Sequence, residues 1–139
     1  MLRAVVDTSV VVAGLRSRLG ASNALLRQVA AKRLLALATP ALFLEYEDVL
    51  KRPEQRQAHG MDERQIDGFL AAFASVLEPV DVHIAWRPQL RDPSDEMVLE
   101  AAINGRADAI VTFNVKDFAF ACRRFGLMAL PPSVALKRA

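Results

Sequence analysis

The sequence has a single cysteine, Cys122, which can form no internal disulfide and leaves no cluster of thiolate metal ligands. Its two histidines, His59 and His83, belong to no acid–histidine–nucleophile pattern, so we expect both to be structural or exposed. No apolar run approaches the ~20 residues that span a bilayer. The first acid, Asp7, comes too early for a secretory signal peptide. We therefore expect a cytoplasmic protein with no membrane association.

Glycine-rich phosphate loops are also missing, because the chain contains neither a Walker-type loop nor a GxGxxG fingerprint. Lysine is scarce: 14 of the 18 basic residues are Arg, and the net charge is only +2. Arg binds phosphate through two parallel hydrogen bonds, a geometry that Lys cannot match. The arginine bias is compatible with a phosphate-bearing partner, although a GC-rich genome would produce it as well.

The chain length of 139 residues suits one domain spanning 1–139. Two continuous apolar runs, 2–6 and 108–112, predict strands buried on both faces, as in parallel sheets. Further helices and shorter strands alternate along the chain. The predicted helices are 10–15, 22–32, 40–50, 62–77 and 93–104, and the predicted shorter strands are 35–38, 80–82 and 127–130. This alternation predicts an α/β domain with a parallel sheet, in which ligands bind beyond the carboxyl ends of the strands.

Two acids stand where apolar residues or caps are expected. Asp7 directly ends a buried strand, so it is either the N-cap of the following helix or a functional carboxylate. Glu45 shares the edge of an apolar stripe formed by Leu42, Tyr46 and Val49. A carboxylate facing a core is costly unless it is paired or bound to a metal. Glu45 therefore predicts an arginine partner, a rim position or a metal site.

Two more acids lie in the first turns of predicted helices. Asp92 is the expected N-cap of its helix, so Asp95 is either part of this cap or a functional acid on the face turned to the sheet. Asp92 is also the alternative to Asp95 as the functional acid. Asp117 has the same ambiguity, because Asn114 is a candidate cap for a short helix that begins there.

Four carboxylates are expected to meet at one edge of the sheet, those of Asp7, Glu45, Asp95 and Asp117. Because like charges repel, at least one of their pKa values should be raised. A hard divalent cation such as Mg²⁺ or Mn²⁺ is the usual counter-charge, and it activates water for attack on a phosphate. Uncharged neighbours are expected to orient the carboxylates, namely Thr8, Ser9, Thr112 and Asn114.

These residues lie in four short motifs that together resemble the PIN-domain family. The motifs are Val5-Val6-Asp7-Thr8-Ser9, Glu45-Tyr46 with Val49-Leu50, Asp92-Pro93-Ser94-Asp95-Glu96, and Val111-Thr112-Phe113-Asn114-Val115-Lys116-Asp117-Phe118. The likeness runs from Leu2 to about Pro132. It is strongest for the branch of toxin components of toxin–antitoxin systems, which are related to VapC-type ribonucleases.

The resemblance implies a three-layer α/β/α sandwich with a five-stranded parallel sheet. It implies Mg²⁺- or Mn²⁺-dependent endonucleolytic cleavage of single-stranded RNA, such as tRNA, rRNA or mRNA. The family acids fall on Asp7, Glu45, Asp95 and Asp117. Ser9 stands where Asn is commoner, and Asn114 stands where some members carry Asp, which implies weaker binding of a second metal ion. The resemblance further implies a type II toxin with a cognate antitoxin, and a homodimer.

Six basic residues near predicted loops or element ends are expected to bind the RNA backbone, namely Arg16, Arg18, Arg52, Arg87, Arg91 and Lys116.

Two other functions stay open. A receiver-type phosphoacceptor domain also gathers acids, Mg²⁺, a Thr and a Lys at the end of a parallel sheet, but this chain lacks the adjacent acid pair after its first strand. The other alternative is a catalytically inactive PIN scaffold that binds RNA or a partner protein. The presence of all four acids argues against this alternative.

Overall fold

The centre of the protein is a five-stranded parallel sheet. The computed structural model describes residues 1–84 and 88–139. Within them the strands are β1 (Arg3–Val6), β2 (Leu35–Ala38), β3 (Glu78–Pro79), β4 (Ala109–Val111) and β5 (Met128–Leu130). Their order across the sheet is β3-β2-β1-β4-β5, and each neighbouring pair is parallel. The prediction of a five-stranded parallel sheet is confirmed.

The described residues contain eight helices. They are α1 (Thr8–Arg16), α2 (Ala21–Ala30), α3 (Pro40–Leu50), α4 (Pro53–His59), α5 (Glu63–Val76), α6 (Pro93–Asn104), α7 (Val115–Phe125) and α8 (Pro132–Leu136). The chain builds outward from β1 to β3 and then returns to β4 and β5. Because such crossovers are right-handed, this reversal places the helices before β3 on one face and α6 and α7 on the other. The result is the expected three-layer α/β/α sandwich.

Strand order also decides one of the functional alternatives. A receiver domain has the sheet order 2-1-3-4-5, with its second strand at the edge. Here β3 lies outside β2, and β1 pairs with β4. The receiver alternative is therefore wrong, because β3 would lie between β1 and β4 in a receiver domain, whereas here it lies at the edge of the sheet next to β2.

Three elements differ from the sequence prediction. β3 lies at Glu78–Pro79 instead of 80–82. Of residues 80–84, which follow β3, Val80 alone is buried. The Val80 N–H donates to the Ala38 carbonyl at 3.0 Å. A proline is tolerated there because β3 is an edge strand. Helices α4 and α8 were not predicted: α4 buries no residue and α8 has only five residues, so neither shows a clear apolar period.

The core explains why β1 and β4 are apolar on both faces. Helices cover both sides of these central strands, and Ala4 to Val6 and Ala109 to Val111 are fully buried. Tyr46 of α3 belongs to the same core, and its ring packs against that of Phe73 in α5. Among the residues described, no helix is both long and apolar enough to cross a membrane.

Candidate active site

The carboxyl ends of β1 and β4 lie side by side where the sheet reverses its winding direction. Asp7 follows β1, and its N–H donates to the carbonyl of Val111, the last residue of β4, at 2.9 Å. Thr112 follows β4 directly. Helices leave these two strands toward opposite faces, which opens a crevice at this point, the usual place for a ligand in such a sheet.

Asp7 is held by two hydroxyl groups. Its Oδ2 accepts a hydrogen bond from Thr112 Oγ1 at 2.7 Å and one from Ser9 Oγ at 3.1 Å. The residue is only 5% exposed, and although it occupies the N-cap position of α1, its side chain makes no capping bond. The capping alternative for Asp7 is therefore wrong. Within the described residues nothing donates to Oδ1, so one carboxylate oxygen is fixed and the other is available to a ligand.

Thr112 links Asp7 to the start of α7. Its hydroxyl donates to Asp7 and accepts from the backbone N–H of Asn114 at 2.9 Å. The Asn114 side chain is exposed and makes no capping bond, although Asn114 is the N-cap residue of α7. Thr8 differs from both, because its hydroxyl is buried with no hydrogen-bond partner in the described residues. A buried polar atom without a partner is costly and calls for an explanation. The Thr8 hydroxyl, next to Asp7 in the sequence, is free to donate to or accept from a ligand.

Glu45 reaches the site from α3. It is half-buried, and its Oε1 accepts a hydrogen bond from Ser94 Oγ at 2.9 Å. No arginine is ion-paired to it within the residues described. The arginine-partner alternative stays a prediction, because Arg87 lies outside those residues. The adjacent Tyr46 fixes α3, because its buried hydroxyl donates to the carbonyl of Val6, the residue before Asp7. Burial, and then the charge of Asp7, raises the pKa of Tyr46 far above its usual range.

Asp92 and Asp95 have different tasks at the start of α6. Asp92 is the N-cap, and its exposed carboxylate accepts from the Ser94 N–H at 2.8 Å. Asp95 is half-buried and makes no side-chain hydrogen bond to the described residues. Burial first, and then the charges of Asp7, Asp92 and Asp117, raise the pKa of Asp95 to about 6. The carboxylates of Asp7, Asp92, Asp95 and Asp117 are therefore close enough to interact electrostatically. Of the two acids at the start of α6, Asp92 is the one that caps the helix.

Asp117 lies in the first turn of α7 and is exposed. With Asp92 and Asp95 it lines a depression of about 410 Å³, whose wall is completed by the 89–91 segment. Arg91 belongs to this wall, so the lining contains one arginine as well as three acids. The depression is open to solvent.

The remaining basic residues differ in their distance from the acids. Lys116 is exposed and adjacent in sequence to Asp117. Arg52 is ion-paired with Asp48 at 2.7 Å, and its pKa is raised first by Asp48 and to a lesser degree by Glu45. Arg16 and Arg18 are exposed at and beyond the end of α1, about 12 Å along the helix axis from its start. Arg87 lies outside the described residues.

The side chains offer the donor atoms that a hard cation prefers, although they are not arranged as a complete coordination site. The candidate ligands are carboxylates with hydroxyl neighbours, the oxygen donors that Mg²⁺ and Mn²⁺ prefer. In residues 1–84 and 88–139, no three Asp, Glu, His or Cys side chains are grouped closely enough to hold one ion. The side chains of Asp95 and Asp117 make no hydrogen bond to these residues, so both can turn toward an ion.

Sequence reasoning missed two residues that position the acids. In the sequence, Ser94 stands out only as a member of the 92–96 motif, and Tyr46 only as a member of an apolar stripe and of the motif that begins at Glu45. A serine between Asp92 and Asp95, and a tyrosine directly after an acid in a core-facing stripe, are weak signals, because each contact spans a long stretch of sequence. The two histidines are outside the site: His59 bonds to the carbonyl of Leu50 and the N–H of Met61, and His83 is exposed.

The fold and the site together define an α/β domain with acidic side chains at the switch point of a parallel sheet, the usual ligand position of such domains. The sequence matches the PIN domain family over residues 3–116, which is most of the chain. The protein therefore belongs to the PIN domain family, whose members are usually nucleases. The resemblance drawn from the four motifs is confirmed at the level of the family. A comparison with curated proteins found no match.

Proposed function

We propose that the protein is an Mg²⁺- or Mn²⁺-dependent endoribonuclease that hydrolyses phosphodiester bonds of single-stranded RNA. The observation that carries the proposal is the half-buried carboxyl group of Asp95, which makes no hydrogen bond to the described residues and lies in the field of Asp7, Asp92 and Asp117. Keeping like charges together weakens the fold. Binding of a divalent cation and a phosphate would explain why these carboxylates are grouped.

The acids at positions 7, 45, 95 and 117 would hold the cation, which when bound supplies an activated water and offsets charge on the phosphate. Thr112 and Ser9 fix Oδ2 of Asp7 and leave Oδ1 for ligation. Ser94 fixes one oxygen of Glu45 in the same way. Hydroxyl groups that orient carboxylates are the usual support of such ligands.

Arg91 and Lys116 are the basic residues best placed to attract the RNA backbone, because they lie beside Asp92 and Asp117. They would offset the repulsion between RNA and the acids. RNA affinity should fall as salt rises, with a log–log slope of about −0.7 for each phosphate contact. A salt-independent affinity would contradict an electrostatic role for these residues.

The test is cleavage of a labelled single-stranded RNA by the purified protein with Mg²⁺ or Mn²⁺, and again with EDTA. We expect cleavage only with the metal ion, and we expect Asp7→Asn to abolish it with an unchanged circular dichroism spectrum. Asp81→Asn is the matched control, since Asp81 is exposed and outside the candidate site. Cleavage by Asp7→Asn at the wild-type rate would refute the proposal. RNA binding without cleavage would instead support the inactive-scaffold alternative.

A role as the toxin of a type II toxin–antitoxin module is a narrower proposal, and it is supported only by likeness to that branch of the family. Expression without a cognate antitoxin should slow growth, while Glu45→Gln should be harmless. Equal toxicity of the two proteins would assign the effect to something other than catalysis. The expected homodimer can be tested separately by sedimentation of the purified chain.

A further inference from the structure

An aromatic side chain projects from the segment that joins the central strand β4 to α7. Phe113 is 52% exposed, and it lies between Thr112, which holds Asp7, and Asn114, which begins α7. Its backbone is therefore next to the acids at the carboxyl end of β4.

The backbone on both sides of Phe113 is fixed by hydrogen bonds. The Thr112 N–H donates to the carbonyl of Leu130 in β5 at 2.9 Å, and the Thr112 hydroxyl accepts from the Asn114 N–H at 2.9 Å. The Asn114 carbonyl in turn accepts from the Asp117 N–H at 3.0 Å. The ring is thus carried on a tightly bonded turn between a strand and a helix, so a partner that stacks on it does not have to order the segment first.

Exposure alone would not distinguish this ring, since isolated exposed apolar side chains are common on protein surfaces. Phe120 is more exposed, at 68%, but it lies further along α7 and is not adjacent to a residue that holds the acids. Phe113 combines exposure with adjacency to Thr112, and an exposed cation, Lys116, follows three residues later. Sites for single-stranded nucleic acid combine exposed aromatic rings with basic residues, and the 113–116 segment carries one of each.

We propose that the Phe113 ring is a stacking platform for a nucleobase of single-stranded RNA next to the bond that is cut. The inference rests on the proposed ribonuclease function and adds the feature that selects unpaired RNA. Bases in a duplex are already stacked on both faces, whereas unpaired bases can stack on a protein ring. The platform is insensitive to sequence, apart from a preference for the larger purine faces.

The test is fluorescence anisotropy with a labelled oligoadenylate and an RNA duplex of the same length, both with Mg²⁺. The full chain carries Asp7→Asn so that binding is measured without cleavage. Adding Phe113→Ala should weaken oligoadenylate binding by about 5- to 100-fold, while duplex binding stays unchanged. Phe113→Tyr should restore the affinity because it keeps the ring. Phe120→Ala is the matched control and should have no effect.

The outcomes separate this inference from the proposed function. If wild-type protein cleaves RNA but Phe113→Ala binds oligoadenylate as tightly as its parent, stacking is overturned and the nuclease proposal stands. An equal loss of affinity for single-stranded and duplex RNA would also overturn stacking. If the parent protein binds neither RNA and wild type cleaves none, both proposals fall together.

Discussion

The hydroxyl of Ser94 donates to Oε1 of Glu45 at 2.9 Å and joins residues that are 49 positions apart in the sequence. It connects α3 to the first turn of α6, where Asp95 is the next residue. The bond therefore sets the distance between two acids that belong to different helices. It is a tertiary contact, and it makes Ser94 a positioning residue for the proposed site.

Replacing Ser94 by alanine should lower nuclease activity or metal affinity by about 10- to 100-fold, the usual effect of losing a group that orients a ligand. Ser94→Thr keeps the hydroxyl and should retain most of the activity. Ser75→Ala is a matched control, since the Ser75 hydroxyl donates to a carbonyl of its own helix, α5, and makes no other hydrogen bond to the described residues. Activity measured against Mn²⁺ concentration distinguishes weaker metal binding from general damage. If Ser94→Ala and Ser75→Ala behave alike, Ser94 has no positioning role.

Thr112→Val should lower the free energy of unfolding by about 1.5–3 kcal/mol, because it removes a buried hydrogen bond to a charged carboxylate. The change nearly conserves volume, so little of the loss should come from packing. It also removes the acceptor of the Asn114 N–H. Urea denaturation at neutral pH measures the effect, and Thr112→Ser should lose much less. A Thr112→Val protein as stable as wild type would contradict a charge-assisted bond at this position.

The raised pKa of Asp95 predicts how stability depends on pH when no divalent cation is present. The pKa is about 6 in the folded protein, against a usual value of 3.8, so the ionised carboxylate destabilises the fold above pH 6. Protonation removes this penalty as pH falls from 6 toward 3.8. In EDTA, wild-type protein should therefore gain stability from this group between neutral and mildly acidic pH. Asp95→Asn should lack this gain and should melt at the same or a higher temperature at pH 7.

Thermal melts of both proteins across that pH range measure this effect, and Mg²⁺ provides a second readout. At a hundredfold excess over its dissociation constant, the ion should stabilise wild type by about 2.7 kcal/mol and Asp95→Asn far less. Lower melting of Asp95→Asn at pH 7, together with an equal metal shift in both proteins, would show that Asp95 is structural. The third ligand would then be sought first at Asp92.

Tyr46 is the one tyrosine of the chain, which makes its ionisation directly observable. Because burial and the charge of Asp7 raise its pKa, tyrosinate absorbance should appear on alkaline titration only when the protein unfolds. Tyr46→Phe removes the bond to the Val6 carbonyl and should cost about 0.5–1.5 kcal/mol of stability. The phenylalanine keeps the ring contact with Phe73, so a loss well above this range would mean that packing had changed too.

The order of the main elements and the identity of the central strands follow from local sequence patterns. β1 and β4 are readable because a strand covered on both faces must be apolar throughout. α3 and α6 are readable because each opens with a proline and then buries residues at helical spacing, which α4 does not. β3 was misplaced by two residues, because its two-residue pairing leaves no pattern. The helix α4 was missed because it buries nothing.

The sequence also indicated which acids were unusual, but it left each of them ambiguous. A carboxylate after a strand or in a first helical turn has the same local pattern whether it caps the helix or serves a site. Contacts between distant segments distinguish these roles. The Thr112 hydroxyl and the Asp7 carboxylate are 105 positions apart, and the parallel pairing of β1 with β4 brings them within 2.7 Å. Ser94 and Tyr46 became visible for the same reason: hydrogen bonds between distant segments depend on how strands and helices pack, and local sequence patterns do not record that.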